Sequence, residues 1–203
     1  MRLAMIIDKR RCYACQGCTV ACKQTNATPP GTFWTKTIIT EHGKFPNVHY
    51  EYMPMICNHC DDAPCVEVCP TGASKKLADG TVQVTASECI GCQACMEACP
   101  YGARYFNEEE KPTYWSEKGE QNLYEETRSK EHVYETVDKC TFCAPRRSKG
   151  LPPACVATCA GVARIFGDLD DPESEISKVF KKYNPKPYKP EEGTKPNVFY
   201  IEG

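Results

Sequence analysis

The sequence predicts an α+β chain built from two small modules, in which short strands and short helices hold loops crowded with cysteine. Three observations predict it. Sixteen cysteines in 203 residues fall into four groups that obey one spacing rule. Short apolar or alternating stretches run up to the first three groups and read as strands. The connections are rich in proline and glycine, and one stretch near the C-terminus carries an amphipathic helix pattern.

In chain order, LAMIID (3–8) is an apolar strand leading into CYACQGCTVAC, whose Cys12, Cys15, Cys18 and Cys22 read C-x2-C-x2-C-x3-C. TPPGTFWTKT (28–37) and EHGKFPN (41–47) are turn-rich and are expected to be loops packed over the cysteine region. VHYEYMP (48–54) is a second strand. It enters CNHCDDAPCVEVCP, where Cys57, Cys60, Cys65 and Cys69 read C-x2-C-x4-C-x3-C ahead of Pro70. TVQVT (81–85) alternates in the manner of a half-buried strand before CIGCQACMEACP, in which Cys89, Cys92, Cys95 and Cys99 repeat the first pattern ahead of Pro100.

Residues 107–134 are strongly polar with few aliphatics, which reads as a solvated insertion. The alternative is an arm covered by a partner, with Tyr114, Trp115 and Tyr124 as anchors. The fourth group opens as CTFC and closes as CVATC, so eleven residues separate Cys140 and Cys143 from Cys155 and Cys159. GDLDDPESEISKVFKKY then predicts a helix capped by Asp170 or Asp171, with Pro172 in its first turn and Ile176, Val179 and Phe180 on one face. NPKPYKPEEGTKPN is too rich in proline for a helix and should run extended over a surface before a short strand, VFYI.

Every group begins with C-x2-C and ends with C-x3-C, and together they use all sixteen thiols. This is the requirement of a 4Fe-4S cube. Three thiolates on a tight loop hold three irons, while the loop's N–H groups face the inorganic sulfurs. The fourth cysteine lies beyond the loop, where a helix begins, and reaches a different cube; the following proline redirects the chain. Four groups therefore make two pairs, each holding two cubes. A strand before each loop and a short helix after it is the ferredoxin-like arrangement. Disulfide staples would explain the count, but cysteines two residues apart are awkward partners and no signal sequence is evident. Structural zinc is the better rival, yet the triple C-x2-C-x2-C and Pro70 and Pro100 argue against it. His59, inside CNHC, reads as a loop residue near a cluster rather than a ligand. His42, His49 and His132 have no ligand spacing and read as surface or hydrogen-bonding residues.

A net charge of −2 gives no excess of cations for nucleic-acid binding. No apolar run approaches the roughly 20 residues that cross a bilayer, and MRLAMIID is too short for the apolar core of a signal peptide, which leaves Arg10-Arg11 a coincidence. There is no catalytic triad, no phosphate loop and no spare thiol nucleophile. Cofactors in series without a substrate pocket carry electrons, and Lys139, Arg146 and Arg147 either raise local potentials or are ordinary surface charges.

CNHCDDAPCVEVCPTGA, CIGCQACMEACPYGAR, KCTFC with PACVATC, and FGDLDDPES resemble the four-cluster iron–sulfur (electron-transfer, beta) subunit of molybdopterin oxidoreductases of the dimethyl sulfoxide reductase family. That group includes polysulfide, thiosulfate and respiratory arsenate reductases. The resemblance runs nearly end to end and is weakest in 107–134. It implies two ferredoxin-like 2[4Fe-4S] modules, one nested inside the other, with extended loops and a C-terminal helix and strap. Residues 1–53 plus 135–170 would hold groups one and four, 54–106 groups two and three, with 107–134 inserted and 171–203 forming the tail. It implies four [4Fe-4S] clusters: Cys12, Cys15, Cys18 and Cys159; Cys140, Cys143, Cys155 and Cys22; Cys57, Cys60, Cys65 and Cys99; Cys89, Cys92, Cys95 and Cys69. Lys23 and Ala160 stand where many relatives have proline after the last cysteine, which bears on the local turn. Cys92 stands where some relatives have tryptophan and a 3Fe-4S cluster.

The resemblance further implies a non-catalytic subunit of anaerobic respiration. It would link a molybdenum or tungsten molybdopterin catalytic subunit to a membrane quinone-reactive subunit or a soluble carrier. Within the family the motifs lean toward the polysulfide and arsenate branch, with a hydroxyl-transfer partner acting on catechol or pyrogallol as a further reading. A hydrogenase or formate-oxidising complex is the alternative assembly. Co-export with the catalytic subunit would give a periplasmic location or one on the outer membrane face; otherwise the location is cytoplasmic.

Overall fold

The strand β1 (Leu3–Asp8) is buried along its whole length. Its apolar run is continuous because both of its faces are covered. Leu3, Met5 and Ile7 point into the cluster that holds the cysteine loops, whereas Ala4 and Ile6 point the other way, against Ile176. The structure, a computed structural model, describes residues 1–114, 120–128 and 131–202.

After β1 come α1 (Gly17–Asn26), the strands β2 (Thr35–Lys44) and β3 (Asn47–Ile56), and α2 (Pro64–Glu67). Next are β4 (Ser74–Lys76), β5 (Val82–Val84), α3 (Ala94–Glu97), β6 (Tyr105–Phe106) and α4 (Leu123–Arg128). The C-terminal half adds β7 (Val137–Asp138), α5 (Ala144–Arg147), α6 (Ala154–Ala157), β8 (Arg164–Asp168), α7 (Glu175–Tyr183), β9 (Lys186–Pro187) and β10 (Val198–Ile201). One four-stranded sheet runs β8-β1-β10-β9, with β1 and β10 parallel. β1 pairs antiparallel with β8, Leu3 opposite Asp168 and Ile7 opposite Arg164. The strand before group one is thereby tied to the strand after group four. The remaining sheets are the two-stranded ribbons β2-β3, β4-β5 and β6-β7.

The expected strands at 3–8, 48–54, 81–85 and 198–201 are present. Residues 28–34 form the loop expected, and the loop expectation for 28–37 and 41–47 is corrected over 35–37, 41–44 and 47. Residues 35–44 form a strand paired along its length with β3, from Thr35 opposite Ile56 to Lys44 opposite Asn47, around a turn at Phe45-Pro46. Local turn residues misled because the partner strand, not the composition of 35–44, supplies the hydrogen bonds. The C-terminal helix is capped by Ser174, whose Oγ accepts from Ser177 N at 3.2 Å, and not by Asp170 or Asp171. Asp171 closes a turn one step earlier by accepting from Glu173 N at 2.9 Å. Ile176, Val179 and Phe180 do share a face, packed on Ala4, Ile6, Phe199 and Ile201.

Most of the described residues in 107–134 are exposed, in keeping with an insertion, and several side chains among them also hydrogen-bond the end of α1. Tyr124 and Tyr114 hydroxyls donate to the carbonyls of Gln24 and Thr28 at 2.7 and 3.1 Å. Arg128 donates to Thr25 O at 2.8 Å, and His132 Nε2 donates to Asn26 O at 2.7 Å. The last carbonyls of a helix have no partner within it, so these side chains complete the C-terminus of α1. Trp115, the third expected anchor, lies outside the described residues.

Candidate metal centres

Each thiol loop repeats one backbone device. The residue two places after the group's first cysteine has a left-handed φ in all four groups: Ala14 at 56°, His59 at 44°, Gly91 at 67° and Phe142 at 50°. A left-handed residue there curls the loop and turns consecutive N–H groups toward its concave side, the anion-cradling arrangement of a nest. The third cysteine of every group is the second residue of a helix: Cys18 in α1, Cys65 in α2, Cys95 in α3 and Cys155 in α6. The helix thus begins at the third cysteine, not at the fourth as the spacing suggested. In groups two, three and four it stops within four residues, and Cys69, Cys99 and Cys159 follow in a turn closed by Gly72, Gly102 and Val162 N–H groups. Ala160 in place of proline leaves that turn intact. Lys23 in place of proline has a visible effect: α1 runs on to Asn26, and Tyr124, Arg128 and His132 bond the carbonyls at its end.

The fourth cysteine of a group meets the loop of another. Cys12, Cys15, Cys18 and Cys159 line one cavity. Cys57, Cys60, Cys65 and Cys99 line another, together with His59. Cys22 lies within charge range of Cys143 and Cys155, and Cys95 within range of Cys89 and Cys69. Cys57 also lies near Cys140, across the boundary between groups two and four. All sixteen thiols are free in the structure. Among the described residues no three His, Cys, Asp or Glu side chains converge on one ion. The thiols stand around cavities, as the ligands of a multi-iron cube do.

Hydrogen bonds to sulfur come from backbone N–H groups of Ser74 to Cys69 (3.4 Å), Phe142 to Cys140 (3.4 Å), Ala154 to Cys143 (3.5 Å) and Ala163 to Cys159 (3.2 Å). Burial pushes the thiols of Cys22 and Cys60 up to about 12, and that of Cys140 well above its ordinary value. Without iron these thiols hold their protons; as ligands they must release them. Thiol donors, curled N–H loops and N–H···S bonds together fit iron–sulfur cubes.

His59 is fully buried and stacked on Phe142, ring centroids 3.8 Å apart. Its Nδ1 accepts from Val82 N at 3.0 Å, so Nε2 carries the proton, and burial holds the ring neutral. His42 and His49 stack on each other across the β2-β3 ribbon. Arg147 pairs with Asp79 at 3.2 Å and Arg146 donates to Pro152 O, so both serve the loop; Lys139 is buried, with its Nζ on the carbonyls of Val82 and Cys140. Sequence reasoning missed Arg104 and Arg164, both buried against thiols. The signal was present: each lies five residues after the last cysteine of its group, in CPYGAR and CAGVAR.

A curled thiol loop, a short helix and a return turn, used repeatedly around shared cavities, define a ferredoxin-like iron–sulfur protein of the 4Fe-4S type. The chain belongs to the 4Fe-4S dicluster domain family, which matches residues 48–116 and 123–169. It is similar to the arsenate respiratory reductase iron-sulfur subunit of Shewanella sp. (strain ANA-3), 44% identical across 99% of this chain and 96% of the relative. It is also similar to a tetrathionate reductase subunit of Salmonella typhimurium, 42% identical across 98% and 72%, and to a selenate reductase subunit of Mesobacillus selenatarsenatis, 40% identical across 97% and 70%. The chain is an electron-transfer subunit of an oxidoreductase, and catalysis is the work of another subunit.

Proposed function

We propose that the chain holds four [4Fe-4S] cubes in two nested modules and passes electrons along them to or from a molybdopterin catalytic subunit. The ligand sets are Cys12, Cys15, Cys18 and Cys159; Cys140, Cys143, Cys155 and Cys22; Cys57, Cys60, Cys65 and Cys99; Cys89, Cys92, Cys95 and Cys69. The observation that carries this is the exchange of fourth cysteines: Cys159 lines the cavity of the group-one loop and Cys99 that of the group-two loop. The nesting, 54–106 inside 1–53 plus 135–170, is supported by the β1–β8 pairing, which joins the outer groups.

One-electron transfer is the chemistry these cubes supply when bound. The residues give it an order. Cys57 neighbours Cys140, so the inner contact lies between groups two and four. Groups one and three form the two ends, with Cys15 and Cys92 exposed beside exposed Tyr13 and Ile90. Tyr105, His59 and Phe142 fill the middle and keep water from it. One end would face the catalytic subunit and the other a membrane quinone-reactive subunit or a soluble carrier. Among the described residues no helix is long and apolar enough to cross a membrane. The extent of similarity to the arsenate respiratory reductase subunit favours a catalytic partner that reduces an oxyanion of that kind.

Elemental analysis of the complex, captured anaerobically through a tag on this chain, tests the reading. Sixteen irons per chain beyond the partner's own, with molybdenum or tungsten, is the expected result. Nickel in their place assigns a hydrogenase assembly, and iron well below that figure refutes the four cubes.

A further inference from the structure

Arg104 and Arg164 occupy equivalent places in the repeat, and both are 4% exposed. A guanidinium keeps its charge in a protein, and burying it without an anion is strongly unfavourable. Among the described residues neither has a carboxylate partner. Arg104 donates to Ser74 Oγ at 2.8 Å and to Cys65 Sγ at 3.0 Å. Arg164 donates to Thr35 Oγ1 at 3.0 Å and Cys18 Sγ at 3.5 Å, with Met5 Sδ at 3.8 Å. The hydroxyls and the thioether are neutral, so the balancing charge has to reside on the cysteine sulfurs and what they hold.

The contacts are parallel. Each arginine follows the last cysteine of one group and reaches the third cysteine of another: from group three to Cys65 of group two, and from group four to Cys18 of group one. The thiols around each span both ligand sets of one module: Cys65, Cys57 and Cys95 around Arg104, and Cys18, Cys159 and Cys155 around Arg164. Lys139, also buried, differs in that its Nζ donates to two carbonyl oxygens, those of Val82 and Cys140, and to no sulfur among the hydrogen bonds of the described residues.

We propose that Arg104 and Arg164 set the reduction potentials of the cubes at groups two and one, raising each through a charged N–H···S bond to Cys65 and Cys18. The proposal rests on the ligand sets given above. Reduction adds one electron and no proton; the added negative charge is drawn to the fixed guanidinium, which keeps all its protons.

The test is an EPR-monitored redox titration, with iron analysis, of the full chain in its native complex. Wild type is compared with R104Q, R164Q, R104K and R164K. Iron content and cluster signals of the wild type examine the ligand sets by themselves, so a failure there is separate from a failure of the arginines. In loaded chains R104Q lowers the reduction equilibrium constant of one signal at least tenfold, a fall of about 59 mV for one electron. R164Q lowers a different signal by a similar amount. The lysine variants keep the charge but lose the planar fork, and shift the same signals less, in the same direction. Signals within twofold of wild type in the glutamine variants overturn the proposal. If a glutamine variant loads incompletely, the neutral R104M or R164M decides: a downward shift of at least tenfold supports the assignment and a signal within twofold of wild type refutes it.

Discussion

Replacing Gly91 by alanine separates two explanations of the thiol loop. Gly91 has φ +67°, and a Cβ built there would lie 2.3 Å from the Glu135 carbonyl oxygen and 3.2 Å from Phe106. The left-handed φ by itself costs an alanine about 1–2 kcal/mol. That cost is tolerated elsewhere, since Ala14, His59 and Phe142 hold the same position in the other groups. The contact with Glu135 is not tolerated, because no real Cβ approaches a backbone oxygen that closely. Opening the gap moves the backbone that carries Asn107 N→Thr136 O and Glu135 N→Asn107 O, both 2.9 Å. Losing one or both bonds removes about 1–3 kcal/mol, which brings the total to roughly 2–5 kcal/mol. For a chain of this size that is roughly a 10 °C fall in Tm. Thermal unfolding under anaerobic conditions, with iron analysis, measures it. Ala14→Gly is the control and should stay within about 1 kcal/mol of wild type. A Gly91→Ala chain with unchanged Tm and full iron would refute the argument that the Glu135 carbonyl, not the φ, demands glycine.

Ser174→Ala removes the cap of α7 and should lower stability by about 1 kcal/mol, a Tm fall of about 2–4 °C, with the redox signals unmoved. Burial alone would lower the pKa of His132, but Asp138 at 2.5 Å and the Asn26 carbonyl raise it above the ordinary value. A raised pKa contributes stability that is complete below the unfolded value of about 6.5 and is lost as pH rises through the folded value. The Tm difference between wild type and His132→Gln should therefore shrink on going from pH 6 to alkaline pH, and a difference that grows would contradict the assignment. Stripping iron with a chelator at pH 8 should take up protons beyond those bound by the released sulfide, because burial holds Cys22, Cys60 and Cys140 protonated once iron leaves. An indicator dye, corrected for the sulfide released, reads the uptake; no excess over sulfide would mean that these iron-free thiols remain ionised.

The sequence by itself determined the cofactor type, the sixteen ligand candidates and most strands, because a cube's demand on its loop is local. C-x2-C spacing, a curled backbone and a following helix all lie within about a dozen residues, so the chemistry is written into the spacing. The apolar run of β1 and the Ile176 face of α7 were legible for the same reason: their periodicity records which sides are covered. Tertiary structure decided what depends on distant segments. The turn-rich residues 35–44 became a strand because β3 lies alongside, and Tyr124, Arg128 and His132 came to cover the end of α1 because the helix leaves its last carbonyls unpaired. Arg104 and Arg164 look like ordinary surface cations in the sequence. Folding removes them from water and sets them against sulfur, and burial of that kind is a property of the assembled chain rather than of any stretch of it.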